Sequence, residues 1–251
     1  MTKRFAQLWL SALVVLLFAP APAGAFKLTP IEMVFEPAGR GATRTFQITN
    51  AHDQPIAVEI RLAARDMTLS GEDVLSDAED SFAVFPAQAI VLPGKSQTVR
   101  VQWLGDPAPK RELAFRMLAE QLPIDLNRDA SDGARLKLLV RYIASLYVAP
   151  KGVEADVVLE SAGRKTAADG GARLVVVLRN RGTAHSLLRG LTLTATGQAR
   201  GGGEISVALT AEQLDGMIGQ NLLAGHRREF ILPWPAKLGE GPVAVSFDYA
   251  R

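Results

Sequence analysis

The chain consists largely of short segments in which apolar and polar residues alternate, and turn-forming residues separate these segments. They lie at residues 43–49, 55–62, 82–85, 89–92 and 98–103, and again at 153–159, 173–178, 191–196, 204–209, 228–232 and 243–249. Alternation with a period of two is typical of half-buried strands, and turns every 8–12 residues are typical of sandwiches and barrels. The sequence therefore predicts an all-β fold.

A domain boundary is predicted at the Ala149-Pro150-Lys151-Gly152 segment, where the rhythm of alternation stops and then restarts. We expect an N-terminal domain over residues 26–150 and a C-terminal domain over residues 151–251. Both lengths are ordinary for a single sandwich.

The first 25 residues have the pattern of a secretory signal peptide. Lys3 and Arg4 precede an apolar run at residues 8–19, and Ala23-Gly24-Ala25 supplies the small residues that signal peptidase requires. The run is about a dozen residues long, shorter than the roughly 20 needed to span a bilayer. We expect cleavage after Ala25, export of the mature chain to the periplasm and no membrane insertion.

The charge balance argues against nucleic acid as a partner. The chain has 28 Lys and Arg and 26 Asp and Glu, so removal of Lys3 and Arg4 with the signal leaves equal numbers. No basic stripe survives this subtraction, whereas nucleic-acid binding requires one. An acidic run at residues 72–80 is predicted to be a solvated loop.

No residue pattern points to catalysis, a metal or a cofactor. The chain lacks cysteine, which excludes disulfides, thiolate metal sites and a cysteine nucleophile. His52, His185 and His226 have no metal-ligand spacing and are predicted to be isolated surface side chains. No G-x-S-x-G or S-x-x-K motif occurs. We therefore expect a protein that is not an enzyme and needs no cofactor.

An unusually long strand is predicted over residues 136–148. All of its even positions are apolar or aromatic: Leu136, Leu138, Val140, Tyr142, Ala144, Leu146 and Val148. Thirteen extended residues span roughly 43 Å, about twice a typical strand. From the strand alone two interpretations stay open: the apolar row packs into its own sandwich, or an exposed edge of this strand serves a partner.

The order of several motifs resembles that of the periplasmic chaperones for pilus (fimbrial) subunits. The motifs are Pro55-Ile56-Ala57-Val58-Glu59-Ile60, Phe82-Ala83-Val84-Phe85-Pro86, Leu92-Pro93-Gly94-Lys95-Ser96-Gln97-Thr98-Val99-Arg100-Val101 and Glu120-Gln121-Leu122-Pro123, with Phe247-Asp248-Tyr249 near the C-terminus. The resemblance implies two immunoglobulin-like β-sandwich domains in a boomerang arrangement.

The resemblance also implies a mechanism, donor-strand complementation, in which the long strand completes a pilus subunit that lacks its last strand. The partners would be pilus subunits and an outer-membrane usher. The donated row is predicted to be Leu136, Leu138, Val140 and Tyr142. On the opposite face, Leu139 and Ile143 are expected to pack into the first domain.

The family anchors the subunit's C-terminal carboxylate with two basic residues, and this chain departs from that pattern. Alignment places Glu32 at the first basic position and Ala144 or Ser145 at the second, which is typical of a divergent branch such as the archaic type. Arg116 is the leading candidate for a substitute anchor, because arginine binds carboxylates bidentately. Arg141 and Lys137 are further candidates.

The family's inter-domain charge cluster maps onto Arg100, Glu112 and Asp248, which are predicted to fix the angle between the domains. An exported adhesion or scaffold module of two immunoglobulin-like domains, with a purely structural long strand, is the alternative to a chaperone. A secreted hydrolase with an unrecognised site is a third possibility.

Overall fold

The computed structural model of the protein describes residues 26–123 and 139–250. Its strands are β1 (Phe26–Thr29), β2 (Glu32–Phe35), β3 (Thr43–Asn50), β4 (Ile56–Met67), β5 (Asp73–Asp77), β6 (Phe82–Phe85), β7 (Gln88–Val91), β8 (Ser96–Trp103), β9 (Leu113–Gln121), β10 (Arg141–Val148), β11 (Val157–Thr166), β12 (Ala172–Asn180), β13 (Ser186–Leu187), β14 (Arg189–Ala199), β15 (Glu204–Ala208), β16 (Asn221–Leu222), β17 (Arg227–Pro233) and β18 (Leu238–Ala250). Within these residues there is no helix of the length and apolarity that a membrane span requires.

The first ten strands form a sandwich of two sheets. One sheet has the order β1-β3-β8-β6, and the other has the order β2-β10-β9-β4-β5, with β7 also paired to β4. β1 and β2 are separated by two residues and belong to different sheets, so the chain passes from one sheet to the other there. β2 then pairs with β10 in parallel, which makes β10 an inner strand only along part of its length.

Alternation along each strand produces the core between these sheets. Phe46 and Ile48 of β3 are fully buried, as are Val99 and Val101 of β8, because every second side chain of a strand points to the same face. Phe82 lies at the centre of an aromatic cluster, with ring centroids 5.0 Å from both Trp103 and Phe115.

The remaining strands form a second sandwich around a separate apolar cluster. Its main sheets have the orders β11-β12-β17 and β15-β14-β18, and a small sheet pairs β13 with β16. Leu174, Val176 and Leu178 of β12 face Leu193 and other apolar residues across this core. The prediction of an all-β fold with two immunoglobulin-like sandwiches is confirmed.

The two sandwiches touch through the ends of β4, β9 and β10. Met67 and Tyr147 belong to strands of the first sandwich, yet they pack in the core cluster of the second. Two backbone hydrogen bonds also join the sandwiches: Glu112 N–H donates to Thr183 O at 2.9 Å, and Glu229 N–H donates to Leu69 O at 2.7 Å.

Two strand predictions need correction. The acidic run is not simply a solvated loop, because Asp73–Asp77 forms the edge strand β5, paired to β4. The predicted long strand is not continuous over residues 136–148, because in the described part of the chain β10 begins at Arg141 and residues 139 and 140 are not in a strand. Residues 136–138 lie outside the described residues.

Candidate functional site

The apolar face of β10 changes from buried to half-exposed along its length. Ala144, Leu146 and Val148 are fully buried in the first core, whereas Val140 and Tyr142 are only partly buried against it. Tyr142 packs edge-on against Phe26 of β1, with ring centroids 4.8 Å apart. The predicted row thus continues the face of the core outward. Its other members, Leu136 and Leu138, lie outside the described residues.

The expectation that Leu139 and Ile143 pack into the first domain is wrong. Their side chains are 45% and 48% exposed. Side chains alternate along a continuous strand, and the buried Ala144 and Leu146 assign the even positions to the core. The odd positions must therefore point out from the sandwich.

One edge of β10 is paired along only half of the strand. β9 pairs with all eight residues from Arg141 to Val148, whereas β2 begins to pair at Ser145. Among the described residues, the stretch 141–144 therefore has no strand partner on the β2 side. This open edge lies beside the half-exposed Val140 and Tyr142.

The outer face of the same sheet carries a row of polar side chains. Glu32 of β2 is in register with Ser145 of β10, and Ser145 is in register with Arg116 of β9. The Arg116 guanidinium donates a hydrogen bond to the Ser145 hydroxyl. Ala144 is buried, so of the two residues predicted to stand at the second basic position, only Ser145 contacts Arg116 on this face.

A carboxylate from β5 joins this row to a second arginine. Asp73 accepts from Arg116 Nε through Oδ2 at 2.7 Å and from Arg65 Nε of β4 through Oδ1 at 2.7 Å. The Arg65 side chain is only 5% exposed, and that of Asp73 is 27% exposed. We call Arg65, Asp73, Arg116 and Ser145 the arginine cluster.

The electrostatics of the arginine cluster favour an ionised carboxylate. Burial alone would raise the pKa of Asp73, but the hydrogen bonds and charges of Arg116 and Arg65 outweigh it and hold that pKa below its usual range. Two cations thus share one carboxylate. In the second sandwich, burial and the charge of Arg65 lower the pKa of Arg228.

Tyr147 closes the site on the side of the second sandwich. Asn221 Nδ2 donates to its hydroxyl at 2.6 Å, and Arg65 Nη1 lies 3.4 Å from the same oxygen. Burial raises the pKa of the Tyr147 phenol. The ring stacks on His185 with centroids 3.8 Å apart, so the cluster is fixed against the neighbouring sandwich.

The three candidate anchors differ in their surroundings. Arg116 lies in the arginine cluster near the contact between the sandwiches. Arg141 is 58% exposed and forms an ion pair with Glu120, which also binds Arg61. Lys137 lies outside the described residues. Of the two that the structure describes, only Arg116 combines partial burial with a fixed guanidinium.

The predicted inter-domain charge cluster does not form. Arg100 is exposed on β8 in the sheet that lacks β9 and β10. Asp248 is also exposed, and its Oδ1 accepts a hydrogen bond from Tyr249 N–H. Of the three predicted residues, only Glu112 connects the sandwiches. Its Oε1 accepts from the backbone N–H of His185 at 2.9 Å and lies 2.7 Å from Nδ1 of the same residue.

The prediction that the histidines are isolated surface side chains is wrong for two of the three. His185 lies between Glu112 and Tyr147, and His226 Nε2 contacts Asp66 Oδ1 at 2.5 Å. Sequence reasoning missed Arg65, Asp73 and His185 as site residues. Each occurs in a segment with no distinguishing motif. Strand pairing brings Arg65 and Asp73 together, and the contact between the sandwiches brings His185 to Tyr147.

The family of the chain follows from comparison with known proteins. A model of the pili and flagellar-assembly chaperones, for the PapD N-terminal domain, matches residues 26–154, which is half of the chain. The chain therefore belongs to this family of pilus-assembly chaperones. No curated protein matches the chain.

Solved structures support the same fold at low sequence identity. One is a chain of the CsuC–CsuE chaperone–tip adhesion subunit pre-assembly complex from archaic chaperone-usher Csu pili of Acinetobacter baumannii. It has a TM-score of 0.58 and 15% identity, covering 84% of this chain and 88% of that chain. The class 5 fimbriae chaperone CfaA has a TM-score of 0.52 and 14% identity, covering 90% and 100%. A chain of a chaperone–tip adhesin complex of CFA/I fimbriae biogenesis has a TM-score of 0.53 and 14% identity, covering 89% and 98%.

Proposed function

We propose that the protein is a periplasmic chaperone that binds pilus subunits by donating β10, and that it delivers them to an outer-membrane usher. The observation that carries this proposal is the first half of β10. There the apolar row becomes only partly buried at Val140 and Tyr142, beside an edge that lacks a strand partner among the described residues. Membership of the chaperone family and the signal-like N-terminus support the periplasmic location.

The donated surface has the two properties that strand complementation needs. The open edge at residues 141–144 offers backbone N–H and C=O groups, and each ladder hydrogen bond contributes about 1 kcal/mol net. If residues 136–140 extend β10 in the complex, Leu136 and Leu138 point to the same side as Val140, because side chains alternate. Each such side chain, when fully buried by the subunit, contributes about 1.5–3 kcal/mol.

Arg116 is the residue we assign to the subunit's C-terminal carboxylate. Its guanidinium is held by Asp73 and Ser145 on the outer face of the β10 sheet, and it would take the role that the basic pair has in the resembled family. Arg141 is a weaker anchor, because Glu120 already pairs with it and its side chain is solvated. Lys137 belongs to the proposed extension of the donor strand.

We further propose that the protein acts by binding alone, without catalysis or a cofactor. Strand donation requires only complementary shape and hydrogen bonding. Among the described residues, no group of three or more His, Asp or Glu side chains is arranged to hold a metal ion. The sites that support the proposal are an apolar edge and a cation, and neither needs a reactive group.

Co-expression with a candidate pilus subunit, followed by affinity purification of the full-length chaperone, tests the proposal. The wild-type protein is expected to co-purify with the subunit, and Leu138→Glu or Val140→Glu is expected to abolish the complex. Leu104→Glu is the matched control, because Leu104 is 54% exposed in the loop that follows β8. This control is expected to retain the complex.

Circular dichroism of the purified variants distinguishes the rival interpretation. Folded Leu138→Glu and Val140→Glu proteins that lose the subunit support strand donation. Variants that unfold would assign the row to the core, as in an adhesion or scaffold module. Folded variants that still bind the subunit would show that the row is not donated.

A further inference from the structure

Asp73 occupies the arginine cluster in the same manner as an external carboxylate would. Each of its oxygens accepts from the Nε of a different arginine, at 2.7 Å in both cases. The two guanidinium groups come from adjacent strands, β4 and β9, and Ser145 supplies a third polar group. Paired guanidinium groups around one carboxylate form a strong and directional anion site.

The carboxylate is attached to a segment that few contacts restrain. All five residues of β5 are exposed, including the apolar Val74 and Leu75. Among the described residues, β5 pairs only with β4, so it is the edge of its sheet. A short edge strand that buries no apolar side chain is among the least stable parts of a fold.

The charges at the arginine cluster favour replacement of Asp73 by another carboxylate over binding of both carboxylates together. Arg65 and Arg116 supply two positive charges, and Asp73 already supplies one negative charge. Glu32 adds another on the same sheet face, two strands from Arg116. A second carboxylate that entered beside Asp73 would meet like charges, whereas one that replaced Asp73 would leave the balance unchanged.

We propose that Asp73 is an internal placeholder for the subunit's C-terminal carboxylate, and that β5 must release it from Arg65 and Arg116 before the subunit is anchored. The inference rests on the proposed function, since it requires a subunit terminus at the arginine cluster. Arg65 thereby becomes the second cation of the anchor. It would take the place of the second basic residue of the resembled family, which neither Glu32 nor the predicted second position, Ala144 or Ser145, provides.

The placeholder lowers the apparent affinity for the subunit terminus. If the arginine pair is available in only a fraction of molecules, the apparent Kd rises by the inverse of that fraction. A substitution that removes the charge of Asp73 should therefore strengthen carboxylate binding and leave other contacts unchanged. If Asp73 instead positions the arginines for the ligand, the same substitution should weaken binding.

A peptide titration of the full-length chaperone separates these outcomes. The probe is a fluorescent synthetic peptide of the C-terminal strand of the subunit that co-purifies, made either with a terminal carboxylate or with a terminal amide. Asp73→Asn is expected to tighten binding of the carboxylate peptide by up to about fivefold and to leave the amide peptide unchanged. Asp80→Asn is the matched control for loss of one negative charge, because Asp80 is exposed in the turn that follows β5.

The other possible results of the titration show whether the placeholder proposal or the proposed chaperone function is wrong. Unchanged or weaker binding of the carboxylate peptide by Asp73→Asn overturns the placeholder while leaving strand donation intact. An equal gain with Asp80→Asn assigns the effect to general charge and also overturns it. Equal binding of the two peptides by the wild-type protein removes the carboxylate anchor, and the placeholder with it. A wild-type protein that binds neither the peptides nor the subunit rejects the proposed function itself.

Discussion

The two halves of β10 share one alternating sequence and differ in what surrounds them. In the C-terminal half, Ala144, Leu146 and Val148 are buried, β2 and β9 pair on both sides, and Tyr147 reaches into the second core. In the N-terminal half, β2 is absent from the edge and Tyr142 is only partly buried. The comparison teaches that a single apolar row can be fully buried at one end and only partly buried, beside an open edge, at the other, where we propose that it binds a partner.

Matched substitutions in the two halves provide the most direct test of this comparison. Val148→Ala is expected to lower the free energy of unfolding by about 2–4 kcal/mol, because it opens a cavity in a closed core. Val140→Ala is expected to cost about 1 kcal/mol or less in the free chaperone, because the side chain is only partly buried. Urea unfolding monitored by circular dichroism measures both.

The same two variants can also be compared in the complex with a pilus subunit. With a subunit in place, Val140 is proposed to be buried by the partner, so Val140→Ala should then destabilise the complex by about 1–2 kcal/mol more than it destabilises the free chaperone. Val148→Ala should cost the same with or without subunit. Equal costs for the two variants in the free protein would show that both halves belong to the core.

The strands that could be predicted from the sequence are those in which apolar residues recur at every second position. β3 and β8 were predicted because Phe46, Ile48, Val99 and Val101 alternate with polar residues. β5 was missed because all five of its residues are exposed, so no apolar period marks it. The exposure of Ile143 was also missed, because alternation shows that a strand has two faces but not which face is covered.

The site was predicted less well because it depends on strand register. Arg116 was identified through a resemblance, but its partners Arg65 and Asp73 are ordinary polar residues in sequence. The prediction of the inter-domain charge cluster was wrong for the same reason. Arg100 belongs to the other sheet, and nothing local in the sequence tells which sheet a strand joins. Glu112 was placed correctly between the sandwiches, although its partner is His185.

Removal of the contact that fixes the buried half of β10 to the second sandwich should have an intermediate effect on the free energy of unfolding. Glu112→Ala removes the acceptor of the His185 backbone N–H and the contact with its ring, and the His185 ring stacks on Tyr147. We expect a loss of about 1–3 kcal/mol in the free energy of unfolding, since a hydrogen bond to a charged acceptor is lost in a buried setting. Glu204→Ala, on the exposed strand β15, is the control and should be nearly neutral. A neutral Glu112→Ala would mean that the sandwiches are held by their apolar contacts alone.

The smallest effect is expected at Asp73, which Arg116 connects to Ser145 in the buried half of β10, and it depends on pH. Because its pKa in the folded protein lies below the unfolded value of about 3.9, its stabilising contribution is complete above the unfolded pKa. It is lost as the pH falls through the folded pKa. Wild type is therefore expected to be more stable than Asp73→Asn at pH 7 by less than about 1 kcal/mol, since the carboxylate is partly solvated.

Unfolding of wild type and Asp73→Asn measured from pH 7 to pH 3 isolates this contribution from that of the other acidic groups. The difference between the two proteins should shrink below about pH 4. A difference that stays constant with pH would mean that the Asp73 charge does not stabilise the fold. A small difference at pH 7 also bears on ligand exchange: if release of Asp73 costs less than about 1 kcal/mol, a subunit carboxylate bound by the same two arginines can offset that cost.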